Sequence, residues 1–446
     1  MKNKFIYLAI IAAGFASCEP EFENEVGANY TAGDADFTTY VAVGNSLTAG
    51  YMDGTVYKSG QANSFPNLLA QQFALVGGGT FTQPSFEEDV NNLGGFAGVP
   101  NSTRRIIDAS TGTVENIAGT PTITTTSQAT AYNNMGVPGA KSFHLGFPGY
   151  GTLNPYFARH ATSPTATVIG DAMSKNPTFF TNWIGANDVL SYATNGGAQA
   201  DGTTPAADHN LTGNMNPATY GSNDITNSGV FASVYSTLIN TLTSGGAKGV
   251  VATVPSVTSI PYFTTVPYKP VPLDNTFATQ LNSAYAAYNG GLDVAFSNGL
   301  ITNAERLQRK VVFVAGKNPV VIVDSDLTNL SGLGLPSYRM TTSQDLIVLP
   351  ASPFIGTTVG GDPLMINGVS VPLANKWVLT ANEKAKVASA TAAYNNSIRS
   401  IAASKGLAVA DMNLILNQLV GGLRIETGQI YTANYFSGVA TENKVL

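Results

Sequence analysis

Tyr40-Val41-Ala42-Val43-Gly44-Asn45-Ser46-Leu47-Thr48-Ala49-Gly50 decides how the rest of the chain is read. A short apolar run ends in Gly-Asn-Ser, and a helical pattern begins a little later, at Ser64. This is the layout of a buried strand that delivers a serine to its C-terminal edge, where open α/β sheets collect their ligands. Glycine at 44 lets the backbone turn sharply without a Cβ clash. Ser46 is the candidate nucleophile; the plainer alternative is a strand that ends in an ordinary turn.

Two later stretches bear on that choice. Asn134-Met135-Gly136-Val137-Pro138-Gly139-Ala140 and Trp183-Ile184-Gly185-Ala186-Asn187-Asp188 each close an apolar run. With the first stretch, and in this order, they resemble the sequence blocks of the SGNH hydrolases, also called the GDSL family. The family serine lies in Gly-Asp-Ser-Leu; Asn45 replaces the aspartate here, at a position that carries no proton in the reaction. The resemblance implies an oxyanion hole built from the Ser46 and Gly139 N–H groups and the Asn187 amide. Each such preorganised donor is worth about two orders of magnitude in rate, roughly 2.7–4 kcal/mol. Glycine suits a backbone donor that must approach closely, and a neutral amide suits a side-chain donor.

The family's fourth block, Asp-x-x-His, supplies the general base and the carboxylate that orients it. That spacing occurs nowhere in the chain, whose three histidines are His144, His160 and His209. Each reads as a surface or loop-anchoring residue. The chain is expected to continue into the missing block beyond Leu446. Asp411 is followed by Met412-Asn413 and is expected to cap a helix instead.

At the N-terminus, residues 1–17 carry lysines at 2 and 4, an apolar core from Phe5 to Phe15, and small residues before Cys18. The core is too short to span a bilayer and reads as a secretory signal. Ala-Ser-Cys resembles a bacterial lipobox, which implies a lipidated Cys18 and a membrane anchor, with residues 18–35 as an acidic tether. Cys18 is the only cysteine, so no internal disulfide can form. Charged residues make up 11% of the chain and the net charge is −6. Without a basic patch to neutralise phosphates, nucleic acid is not an expected partner.

From residue 36 onward the pattern is helix then strand, which a parallel sheet with crossover helices requires. The expected helices run from Ser64, within 164–177, around Phe231 to Leu242, over 275–298 and 303–309, and from a capping box at Thr380-Ala381-Asn382-Glu383. Expected core strands follow at 178–184, 249–255 and 407–411. Residues 80–130, 191–228 and 310–379 read as insertions. The first has only 122–126 as a strand-like run, the second is a surface loop overhanging the site, and the third holds strands at 311–314, 320–323 and 346–349. The glycine triplet 77–79 lacks a following Gly-Lys-Ser/Thr, so no phosphate loop is expected.

The resemblance thus implies a flavodoxin-like α/β/α sandwich of SGNH type over 36–446. It also implies an esterase that needs no metal or organic cofactor and acts on a lipid or glycan ester at the cell envelope, most simply at the outer membrane. A non-catalytic surface lipoprotein that binds glycan or lipid on the same fold is the alternative.

Overall fold

The computed structural model describes residues 30–108, 114–125 and 130–433; Cys18, the signal segment and most of the tether lie outside the described residues. The fold is built on one five-stranded sheet of β1 (Tyr40–Gly44), β2 (Asn134–Gly136), β3 (Phe179–Trp183), β4 (Lys248–Ala252) and β5 (Ala408–Ala410). All neighbours pair in parallel, in the order β2-β1-β3-β4-β5. This doubly wound order reverses direction between β1 and β3, and such a switch point opens a crevice at the strands' C-terminal ends.

β1 is apolar throughout because both its faces are covered, the usual condition of a strand in a parallel sheet. Val41 and Val43 join Met135, Phe180 and Val251 in the main core. Against them pack Phe231, Tyr235 and Leu238 of α4 (Ser228–Leu242) and Val387, Tyr394 and Ile398 of α5 (Ala381–Ser404). On the opposite face Tyr40, Ala42 and Phe179 pack with Leu69, Ala70 and Phe73 of α1 (Phe65–Ala74). Two shorter helices complete the frame around the site, α2 (Val168–Met173) and α3 (Asn187–Thr194). Among the described residues no helix is long and apolar enough to cross a membrane.

Several expected elements take a different form. Residues 122–125 are not a strand; Ile123 instead drops into a small core with Val56, Phe86 and Phe96, and the hairpin of that region is Arg105–Ile107 with Val114–Asn116. The 275–298 helix is two helices, Asn275–Ala284 and Ala286–Ser297, broken at Tyr285, whose hydroxyl reaches the Val369 carbonyl at 2.8 Å. Residues 311–314 belong to no strand pair. Asn289 exchanges two hydrogen bonds with the Val311 backbone and Asn282 two with that of Phe313, at 2.8–3.0 Å. Two side-chain amides thus stand in for a neighbouring strand, with Val311 and Phe313 buried and Val312 and Val314 exposed. β5 is an edge rather than a core strand, with Val409 exposed.

Residues 195–227 are no loose surface loop. Ala198, His209, Asp224, Ile225 and Thr226 are buried. The Asp224 carboxylate accepts from the Ala207 and Gly221 amides, Gln199 Nε2 and His209, at 2.6–2.9 Å. The segment's helical turns are short, His209–Thr212 and Pro217–Thr219, and the Asp224 carboxylate draws the stretches around them together.

Candidate active site

Three loops leave the sheet at one level. Gly44 pairs with Gly136 on β2 and with Trp183 on β3, so β1, β2 and β3 end in register. Neighbouring strands lie about 4.8 Å apart, which brings the three exits within about 10 Å of one another. Ser46 follows β1 by two residues, Gly139 follows β2 by three and Asn187 follows β3 by four.

The Ser46 turn is built by its neighbours. Buried Asn45 caps the one-turn helix Ser46–Ala49, its Oδ1 accepting from the Leu47 amide at 3.2 Å. Asparagine caps as well as aspartate does, so the substitution at 45 preserves the turn. Asn134 clamps the same helix from β2, its Nδ2 donating to the Thr48 carbonyl at 2.9 Å. Where β1 and β2 exit, the Val137 amide bonds the Gly44 carbonyl at 3.0 Å. Ser46 is left half-buried, and among the described residues its hydroxyl has no hydrogen-bond partner.

Gly139 is exposed and has φ +79°, a conformation that favours glycine. Asn154 steadies it from below: its Nδ2 donates to the Pro138 carbonyl at 2.8 Å, and its Oδ1 caps the helix Pro155–His160. Neither the Ser46 nor the Gly139 amide donates to any described backbone or side-chain acceptor, so both point free. Asn187 opens α3 and spends one amide hydrogen on the Ala140 carbonyl at 2.8 Å, leaving the other. Gly185 in the same loop has φ +118°, and a Cβ there would stand 2.7 Å from Val254 Cγ2, so the loop can take this path only with glycine.

Sequence reasoning missed the supports. Asp188 is fully buried and accepts from both the Ser142 amide and the Ser142 hydroxyl at 2.8 Å. Burial pushes its carboxyl upward, against the pull of the Ser142 donors and Lys141. Lys141 is buried too, and burial holds its ammonium below the usual range while Asp188 and Asp224 draw it back. Its Nζ donates to the Asp224 carbonyl at 2.8 Å, tying the 195–227 segment to the Gly139 loop. Asn154 was legible as an Asn-Pro helix start, and Asp188 by its place beside Asn187.

Two of the histidines are engaged elsewhere, and the third is buried without a hydrogen-bond partner among the described residues. His144 Nδ1 accepts from the Lys141 amide at 3.1 Å and the ring stacks on Tyr150. Burial, then the Lys141 charge, lowers its pKa to about 4. A neutral ring that accepts at Nδ1 carries its proton on Nε2, so it cannot take a proton there. His160 is buried rather than at the surface, lowered to about 3 by burial and then Arg159, and its ring nitrogens find no partner among the described residues. His209, also buried, spans Asp224 Oδ2 and Thr212 Oγ1, each at 2.9 Å. Asp411 caps the helix Met412–Gly421 through the Leu414 amide and pairs with Arg399.

Among the described residues the three strand exits therefore carry a partly exposed serine, two amides without acceptors and a side-chain amide with one hydrogen spare, and no group of His, Cys, Asp and Glu could hold a metal ion. Compared with protein-family models, with curated proteins and with solved structures, the chain finds no match in any of the three.

Proposed function

We propose that the chain is a serine ester hydrolase of SGNH type. The observation that carries this is the register of Gly44, Gly136 and Trp183, which delivers Ser46, Gly139 and Asn187 to one edge at the switch point of the sheet. The strand order, flavodoxin-like, supports the same reading. Ser46 Oγ would attack the acyl carbonyl, and the Ser46 and Gly139 amides with the Asn187 side chain would take the oxygen as it gains charge. Ester cleavage then releases the alcohol, and water removes the acyl group from Ser46. The acyl donor would be a lipid or glycan ester at the cell envelope, with the chain held at the membrane through a lipidated Cys18.

Among the described residues none of the three histidines bonds Ser46, which favours one competing reading, a lipoprotein that binds glycan or lipid through the same crevice without turning it over. A small activated ester distinguishes the two. Without a base, the oxyanion donors and substrate binding leave about three to four orders of magnitude over water. The expected result is slow turnover by the 446-residue chain. Turnover should fall about a hundredfold in Asn187→Ala, and mass spectrometry should find an acyl group on Ser46 that Ser46→Ala does not carry. A Ser46 that carries no acyl group after exposure to the ester would end the hydrolase reading, and ester or glycan binding with no turnover would favour the binder. In the same preparations the chain should sediment with membranes and Cys18→Ala should not; an unchanged distribution would remove the anchor.

A further inference from the structure

The dipeptide Asn187-Asp188 grips the Gly139 loop at two points two residues apart. Asn187 Nδ2 holds the Ala140 carbonyl at 2.8 Å. Asp188 holds Ser142 twice, with Oδ2 accepting from the amide and Oδ1 from the hydroxyl, both at 2.8 Å. Between these struts stands Lys141, whose ammonium faces Asp188 and Asp224. The Asp188 backbone carbonyl receives the Thr226 amide at 3.1 Å, so the 195–227 segment braces the residue from outside.

Such a buried carboxylate is costly. Removing a charge from water costs several kcal/mol unless its lone pairs are satisfied, and apolar residues often pack a core equally well. The chemistry of the pair explains the choice. Ser142 presents two donors, and a carboxylate is the one side chain of this length with two acceptor oxygens. An amide at 188 would meet one donor with an NH2 group and release it. The carboxylate therefore fixes both the position of Ser142 and its rotation.

We infer that Asp188 is a positioning residue of the Ser46 site, which sets the Gly139 N–H against Ser46 by holding Ser142 with both carboxylate oxygens. Oxyanion donors act through preorganisation, and small misplacements at such a site carry large losses in rate. Asp188 never touches the substrate. Its catalytic consequence rests on the hydrolase reading; the clamp itself does not.

The experiment compares the unaltered full chain with Asp188→Asn and Ser142→Ala in two measurements. Amide hydrogen exchange is followed over residues 137–146 and over β1 and β3. Asp188→Asn should raise exchange in 137–146 by at least about tenfold, a sub-global opening, and leave both strands unchanged. On an activated acetate ester it should lower kcat at least about tenfold with KM within about threefold. Ser142→Ala keeps the amide strut and loses the hydroxyl, so its effects should have the same direction and be smaller. Should Asp188→Asn fail to fold, Ser142→Ala carries the test alone.

Unchanged exchange in 137–146, or an equal rise in β1 and β3, overturns the clamp. A loosened loop with unchanged kcat overturns its role in the reaction. The hydrolase reading fails on a separate result, no acyl group on Ser46 after exposure to the ester, and the exchange measurement still decides the clamp if no turnover is seen.

Discussion

Gly44 has no room for a methyl group. A Cβ there would stand 2.2 Å from Thr48 Oγ1 and 2.5 Å from the Trp183 carbonyl oxygen, and one on Gly136 would stand 2.3 Å from the Ala49 amide. These two glycines let the Ser46 helix sit down between β1 and β2. Gly139 differs: its surroundings are open, with the nearest atom to a Cβ at 3.8 Å, and only its positive φ demands glycine. Overpacking of a tight site costs about 1–3 kcal/mol. Gly44→Ala is therefore expected to lower the unfolding free energy by that amount, read as an earlier denaturant midpoint at unchanged slope, and to lower turnover by displacing the turn that carries the Ser46 amide. A Gly44→Ala protein of unchanged stability and activity would mean that the turn tolerates displacement. The sequence marks Gly44 as a turn former but cannot name Trp183 as its neighbour, because that contact spans 139 residues. The histidines were opaque for the same reason: the carboxylate that engages His209 belongs to Asp224, fifteen residues on.

α5 shows how far local signals reach. Its capping box was legible because both partners lie within four residues: Thr380 Oγ1 accepts from the Glu383 amide and Glu383 Oε2 from the Thr380 amide. What happens to Glu383 was not legible. The 195–227 segment closes over it at Gly197, where a Cβ would stand 2.2 Å from Oε1. Burial first, and Asp324 and Asp326 after it, push its carboxyl up to about 7 against the Thr380 hydrogen bonds. The folded state therefore holds this proton more tightly than the unfolded chain. Its contribution is greatest below the unfolded pKa of 4.5 and is lost as pH rises through about 7. The loss is of the order of 3 kcal/mol. Glu383→Gln keeps an oxygen for the Thr380 amide and removes the charge. Urea midpoints at acid and mildly alkaline pH should fall more steeply for the unaltered chain than for the variant. Parallel lines for the two proteins would assign the slope to other groups. The strand expected at 311–314 makes the complementary point: its alternation was real, but its hydrogen-bond partners are Asn282 and Asn289, which no pattern in the strand itself announces.

At the scale of the whole molecule, the parallel core was written in apolar runs, and the insertions were not. Their order comes from buried polar groups that reach across long stretches of chain. The main core runs without interruption from Val41 and Phe180 on the sheet to Val320, Ile347 and Leu373 in the elaboration. A buried ionic cluster spans the same junction. Arg339 pairs with Asp324 at 2.5 Å and with both oxygens of Asp345 at 2.7 and 2.8 Å. Asp345 also accepts from the Thr342 amide at 2.7 Å and, at 3.0 Å, from the Ala381 amide in the first turn of α5. One carboxylate thus ties the 310–379 segment to the helix that packs on β4 and β5. Burial alone would raise the Asp345 pKa, but the Arg339 guanidinium and the Thr342 donors leave it below the usual carboxylate range. Asp345→Ala strands part of the Arg339 charge and leaves the Ala381 amide of α5 without its acceptor, and breaking a buried pair on one side costs about 3–5 kcal/mol. If sheet and elaboration form one cooperative unit, that loss appears as an earlier midpoint of a single transition, with an unchanged dependence on denaturant. Tryptophan fluorescence is suited to the test because Trp183 ends β3 and Trp377 lies in the elaboration. The two should report one midpoint in Trp183→Phe and Trp377→Phe backgrounds. If Asp345→Ala releases Trp377 at low denaturant while Trp183 stays folded, the elaboration is a separate unit, and the Ser46 site should then survive its loss.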